Sequence, residues 1–174
     1  MNYYDEIKNK LIDNEIYSRV KDYSKEKHNL ITHYEVGKLL AEAGKIYGED
    51  IIGKYSKRLV VEVGKTYNSR TLRRMRQLYL FFENQKWSPM GTRLSLSHIR
   101  ELFVIKDTKE IQYYVSLCLQ NNLSRDELRS KIKSNEYERL PIETKNKLIN
   151  EEKLEVKDLV PNPILIRNKN NIEI

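Results

Sequence analysis

Apolar residues recur at helical spacing along the first part of the chain. The spacings are mostly three to five residues, and the positions are Ile7, Leu11, Ile16, Val20, Leu30, Tyr34 and Leu39. This pattern predicts helix over residues 3–47, either as one long helix or as two joined near residues 25–29. A stripe of this kind normally packs in a core. Contact with a second copy, giving a homodimer through the N-terminal helix, is the lesser alternative.

Two shorter helices are predicted next, separated by a turn at Gly64. Gly44 and Gly48 mark an earlier turn, which ends the N-terminal helical region. Apolar positions at helical spacing then predict a helix over residues 51–63. Gly64 should end this helix in a left-handed conformation, which is cheap only for glycine. Residues 65–68 lead to a second helix that runs to about residue 83, with Asn68 or Ser69 as its N-cap.

The rest of the chain predicts further helices and then a tail. A loop over 84–95 contains Pro89 and Gly91, a helix then ends near Asp107, and another spans 108–121. Ser124 and Glu127 have the spacing of a capping box, which predicts a helix to about residue 137. We therefore expect an all-α helical bundle over residues 1–142, followed by a charged linker or loosely ordered tail over 143–174.

Charge changes this picture because the positive excess is local. The chain carries 32 Lys and Arg against 25 Asp and Glu, a net charge of +7. Residues 54–76 hold eight of these basic residues and a single acid, Glu62, so this window alone is +7 and the remainder is neutral. Such a concentration of charge attracts polyanions.

The window coincides with the two predicted helices and their turn, whose dimensions are those of a helix-turn-helix over residues 51–83. In that motif the second helix enters the DNA major groove. Lys57, Arg58 and Lys65 would contact phosphates, and the first amides of the second helix form an anion site. The predicted DNA-binding residues are Lys57, Arg58, Lys65, Tyr67, Ser69, Arg70, Arg73, Arg74 and Gln77. Among them, Arg70, Arg73, Arg74 and Gln77 face base edges, and Tyr67 offers its hydroxyl to the DNA backbone. Arg76 lies nearer the core edge.

Three other interpretations of the basic window stay open. The arginines could form an ordinary solvated helix face, although such faces usually carry interspersed acids. The window could instead bind an acidic partner protein, as in a protein-interaction module or a phage or mobile-element regulator. RNA binding is a third option, weakened by the lack of an aromatic stacking platform beside the basic residues.

Candidate catalytic chemistry is thin. His28, His33, His98 and the single cysteine, Cys118, do not form a zinc-binding set, and no phosphate-binding glycine loop occurs. We expect no catalytic residues, metal or cofactor. The lone cysteine, the absence of an apolar signal core and the absence of an 18-residue apolar run predict a cytoplasmic protein that does not span a membrane.

Three blocks resemble the N-terminal region of the YhcG-like proteins (domain of unknown function 1016). They are YGEDIIGKYSKRLVVEVGKTYNSRTLRRMRQLYLFF, LSLSHIRELFVIKD and NNLSRDELRSKIKSNEYERL, in the expected order, with HYEVGKLL upstream. The resemblance covers roughly residues 5–142. Leu96 and Leu123 stand where the family has tryptophans.

The resemblance implies a helical DNA-binding region that, in full-length members, continues into a PD-(D/E)xK-type nuclease domain. The residues of that nuclease domain have no counterpart in this chain. We therefore expect a non-enzymatic module that targets or regulates a nuclease activity located elsewhere, with duplex DNA and a nuclease as partners.

Overall fold

A computed structural model describes residues 2–19, 25–89 and 91–150, and the regular structure within these ranges is helical, without a strand. The helices are α1 (Tyr3–Arg19), α2 (Lys25–Tyr47), α3 (Ile51–Glu62), α4 (Ser69–Gln85), α5 (Leu96–Leu102), α6 (Thr108–Asn121), α7 (Arg125–Lys133), α8 (Glu136–Arg139) and α9 (Ile142–Ile149). A 3-10 turn over Lys65–Tyr67 joins α3 to α4. The predicted all-α class is confirmed. No helix of the described ranges is long and apolar enough to cross a membrane.

The chain divides into two compact units, residues 1–96 and residues 97–174. The prediction had one helical domain extending to residue 142. Its boundary was placed where proline and charge increase, whereas the observed division falls at the start of α5, inside the block that the sequence presents as continuous.

Helix α2 is the centre of the first unit and packs against α1, α3 and α4. The predicted apolar stripe is largely its core: Ile7, Leu11 and Leu30 are at most 1% exposed, and Leu39 is also buried. Ile16 departs from the stripe, since it is 61% exposed. Val20 lies outside the described residues. Within the described residues, the N-terminal region contains two helices, α1 and α2, which pack against each other, as in one of the two alternatives.

The connection between α3 and α4 differs from the prediction at Gly64. This glycine follows the C-cap Val63 with φ 162° and ψ 156°, which is extended backbone and not a left-handed conformation. The chain then needs no glycine-specific geometry to leave α3. Of the two predicted caps, Asn68 is the one that caps α4, because its side-chain oxygen accepts a hydrogen bond from the Thr71 amide at 3.1 Å.

The second unit is built around α6, against which α7, α8 and α9 pack. The predicted capping box is present: the Ser124 hydroxyl accepts from the Glu127 amide, and the Glu127 carboxylate accepts from the Ser124 amide. Two predicted helices are shorter than expected. α5 ends at Leu102 instead of near Asp107, and α7 ends at Lys133 instead of near Tyr137.

The predicted tail begins as a helix. α9 packs on α6, Thr144 is 1% exposed, and the Lys145 ammonium lies 4.1 Å from the centre of the Tyr137 ring. Proline and charge made this segment look unstructured, but packing against α6 overrides that local signal. The strand-like residues after Pro163 lie outside the described residues.

Candidate nucleic-acid interface

Six basic side chains project from α3, the 3-10 turn and α4. The helical repeat keeps them away from the buried positions Ile52, Leu59, Leu72 and Met75, each at most 1% exposed. We call these six residues the basic face: Lys54, Lys57, Lys65, Arg70, Arg73 and Arg74, all exposed. Gln77 is exposed on the same side of α4, one turn beyond Arg73 and Arg74.

The charges of the basic face are not neutralised by neighbours. None of its six residues makes an ion pair or a side-chain hydrogen bond with any residue that the structure describes. Some cations elsewhere in the same ranges are paired, for example Lys10 with Glu35 at 2.6 Å and Arg129 with Glu101 at 2.6 Å. Uncompensated charges on neighbouring elements add to a long-range field that attracts an anionic partner.

Arg58 differs from the basic face because it is held in place. Its guanidinium carbon lies 3.6 Å from the centre of the Tyr4 ring, and its Nε lies 3.4 Å from Glu62 Oε1. The other Glu62 oxygen accepts from Lys8 of α1 at 2.7 Å. This hydrogen bond to Lys8 holds the pKa of Glu62 below its ordinary value. The single acid of the window is therefore ionised and already matched by a lysine from outside it.

Tyr67 is not a surface residue, so the prediction that its hydroxyl contacts a DNA backbone is wrong. It is 3% exposed, and its hydroxyl donates to Glu15 Oε1 at 2.6 Å. Burial and this carboxylate raise the pKa of Tyr67. The residue joins the turn to α1, which is a role in folding.

Ser69 and Arg76 of α4 lie outside the basic face. Ser69 is half-buried at the first position of α4, directly after the Asn68 cap. Arg76 is 24% exposed at its side chain and pairs with Glu49 at 2.6 Å. Its predicted position near the core edge is confirmed, and it does not belong to the basic face.

The prediction missed Lys8, Lys54 and Val61. Lys8 is far from the window in sequence, so only the packing of α1 against α3 could reveal it. Lys54 and Val61 could have been found, because Lys54, Lys57 and Val61 share one side of α3 by spacings of three and four. Val61 is 84% exposed between lysines.

Cys118, His98 and His33 are occupied in structural contacts, and the His28 ring stacks on Tyr17 with 4.0 Å between ring centres. The Cys118 thiol is buried, which raises its pKa to about 11 and disfavours the reactive thiolate. His98 Nε2 lies 2.9 Å from the Leu123 carbonyl oxygen, and His33 Nδ1 lies 2.8 Å from that of Asn29. Within the described ranges, no three His, Cys, Asp or Glu side chains are grouped to bind a metal ion.

Comparison with known proteins assigns a family. The model of the DUF1016 N-terminal domain matches residues 10–139, which is most of the chain. Comparisons with curated proteins and with solved structures gave no match. The match includes the basic face, Arg58, Glu62 and the capping box of α7. The chain therefore belongs to the DUF1016 N-terminal domain family.

Proposed function

We propose that this chain is a double-stranded DNA-binding module in which α3, the 3-10 turn and α4 act as a helix-turn-helix. The observation that carries this proposal is the basic face, whose six exposed cations lack ion-pair partners among the described residues. A DNA duplex presents regularly spaced phosphates to such a surface, and their neutralisation releases counterions.

In this proposal the two helices have different tasks. Lys54, Lys57 and Lys65 neutralise phosphates from α3 and the turn. Arg70, Arg73, Arg74 and Gln77 lie on the exposed side of α4, whose side chains would enter the major groove. Arginine pairs bidentately with guanine and glutamine with adenine, so this part of the surface would read base edges.

The biological part of the proposal rests on family resemblance. We propose that the module is not itself catalytic, acts in the cytoplasm and delivers or regulates a nuclease activity located elsewhere. The raised pKa of the Cys118 thiol and the structural contacts of His33 and His98 support a binding role, because they leave these groups committed to the fold. A dimer through the N-terminal helices is compatible with the exposed Ile16 side chain.

One observation favours a second function, the binding of an acidic partner protein. Val61 is 84% exposed on the lysine-bearing side of α3. An exposed apolar side chain on the same helix side as two lysines suits a protein surface that has an apolar centre and an acidic rim. DNA can also accept a valine at a thymine methyl group, so Val61 alone does not outweigh six unpaired charges.

The test is equilibrium binding to a DNA duplex over a salt series. Four to six phosphate contacts predict a log–log slope of roughly −4 to −5, since each contact contributes about −0.9. The same measurement with double-stranded RNA and with an acidic polypeptide as competitors separates the alternatives. The DNA proposal fails if no duplex binding is detected at about 50 mM salt, or if the acidic polypeptide competes better than DNA at equal charge.

A further inference from the structure

Four residues from two helices form a cluster at the edge of the basic face. Arg58 and Glu62 come from α3, and Tyr4 and Lys8 come from α1. Tyr4 is 4% exposed, whereas the Arg58 side chain is 58% exposed. The exposed Arg58 guanidinium therefore stacks on the buried Tyr4 ring. The Tyr4 ring also packs edge-on against the Tyr55 ring, with 5.2 Å between the ring centres, and this contact restricts its position.

Stacking on a ring leaves the guanidinium donors available. The Tyr4 ring contacts the flat face of Arg58, at 3.6 Å from the guanidinium carbon, and uses none of its N–H groups. The contact to Glu62 involves Nε and is long, at 3.4 Å. The two terminal nitrogens make no hydrogen bond with a described residue. They form a planar fork of the kind that holds a phosphate bidentately.

Lys8 removes the main obstacle to a phosphate at this position. A phosphate beside Arg58 would approach the Glu62 carboxylate, and two like charges repel each other. Lys8 lies 2.7 Å from Glu62, so α1 supplies the charge that neutralises this acid. Neither Tyr4 nor Lys8 belongs to the basic window in the sequence.

We propose that Tyr4 and Lys8 of α1 are positioning residues that hold Arg58 as a pre-oriented phosphate anchor of the DNA interface. This inference rests on the proposed DNA binding and adds α1 to the machinery of that site. The six residues of the basic face must each lose side-chain freedom when they contact DNA. Arg58 has already lost much of that freedom on folding, so its phosphate contact costs less entropy.

The test is a double-mutant cycle on duplex DNA affinity. Tyr4→Leu removes the ring and leaves an apolar side chain, and we expect it to weaken binding by roughly 3- to 10-fold. Tyr4→Phe keeps the ring and should restore most of the affinity that Tyr4→Leu loses. In an Arg58→Ala background, Tyr4→Leu should cause no further loss, because a positioning residue has nothing left to position. Helicity by circular dichroism controls for folding.

A second variant keeps the test decisive if Tyr4→Leu does not fold. Arg58→Lys lies at an exposed site and keeps the charge but loses the planar fork, so we expect a loss of roughly 3- to 10-fold. The inference is overturned if Arg58→Lys binds like the wild type, or if Tyr4→Leu weakens binding equally with and without Arg58. If the wild-type protein binds no duplex DNA, both the proposed function and this inference are wrong. Wild-type binding with unaffected variants overturns the inference alone.

Discussion

Gly37 of α2 lies so close to Met75 of α4 that a Cβ atom on Gly37 would overlap the Met75 carbonyl oxygen. The same Cβ would lie 3.0 Å from the Cβ of Tyr79. The absence of a side chain at Gly37 therefore lets α2 and α4 approach closely, and it fixes α4, which carries half of the basic face. This contact gives a physical reason for the glycine in the segment HYEVGKLL.

We expect Gly37→Ala to destabilise the protein by at least about 2 kcal/mol, because a backbone carbonyl cannot move aside as a flexible side chain can. Urea denaturation followed by circular dichroism measures this loss. Gly53→Ala is the matched control: a Cβ there meets nothing within 4 Å, and alanine is the better helix former. Equal stability of the two variants would contradict the close approach.

The hydrogen bond between Tyr67 and Glu15 predicts a stability effect without a binding effect. Tyr67→Phe should lower the free energy of unfolding by about 1–2 kcal/mol, since it removes a bond to a charged acceptor at 2.6 Å. Duplex affinity should stay within about twofold of the wild type. Tyr47→Phe, at a side chain 56% exposed, is the control for hydroxyl removal. A large loss of duplex affinity with unchanged stability would contradict this assignment and show that Tyr67 contacts DNA.

The N-cap of α4 can be assigned by two substitutions at adjacent positions. Asn68→Ala should cost about 1 kcal/mol in unfolding free energy, because the Thr71 amide loses its acceptor. Ser69→Ala should cost close to nothing, since Ser69 is already the first helical residue. Chemical denaturation of both variants decides the assignment, and the reverse order of stabilities would show that Ser69 is the cap.

The ion pair between Glu101 and Arg129 makes stability depend on pH. Two of the three Arg129 guanidinium nitrogens, Nη2 and Nε, donate to Glu101 at 2.6 and 2.9 Å and hold the pKa of Glu101 below its ordinary value of 4.5. A carboxyl with a depressed folded-state pKa stabilises the fold above its unfolded pKa, and this stabilisation is lost as pH falls through the folded pKa.

We therefore expect Glu101→Gln to be about 1 kcal/mol less stable than the wild type at pH 7. The difference should shrink as pH falls below 4.5, towards zero once Glu101 is protonated in the folded state. Urea denaturation of both proteins across this range measures it. A difference independent of pH would show that the ion pair does not set the stability of this contact.

Features that depend on neighbours in sequence were predictable, and features that depend on packing were not. The Asn68 cap, the capping box at Ser124 and the exposure of Arg73 follow from spacing within one helix. The pairs of Lys8 with Glu62 and of Tyr67 with Glu15 join residues more than 50 positions apart. They exist because α1 packs beside α3 and the 3-10 turn, and no local pattern encodes that contact.

The same distinction explains the errors at the two ends of the second unit. α9 contains few apolar residues and follows a proline, so its sequence favoured a tail. Its helical form depends on packing against α6. α5 ends early because the chain turns at Phe103, where the amide bonds to the Arg100 carbonyl at 3.4 Å. The apolar run over residues 102–105 contains no glycine or proline, so the sequence did not indicate a turn there.

Charge reversal at Arg70 and Arg74 tests whether the basic face binds duplex DNA. Both side chains are exposed and unpaired within the described residues, so Arg70→Glu/Arg74→Glu should preserve the helical signal. The control is Lys106→Glu/Lys109→Glu, which makes the same charge change at exposed positions of the second unit.

The measurement is duplex affinity over a salt series for the wild type and both variants. We expect the arginine reversal to weaken binding at least about tenfold, because it removes two base contacts and adds negative charge at the groove, while the lysine reversal weakens binding much less. Equal losses in the two variants, or a wild-type protein without measurable duplex affinity at about 50 mM salt, would contradict it.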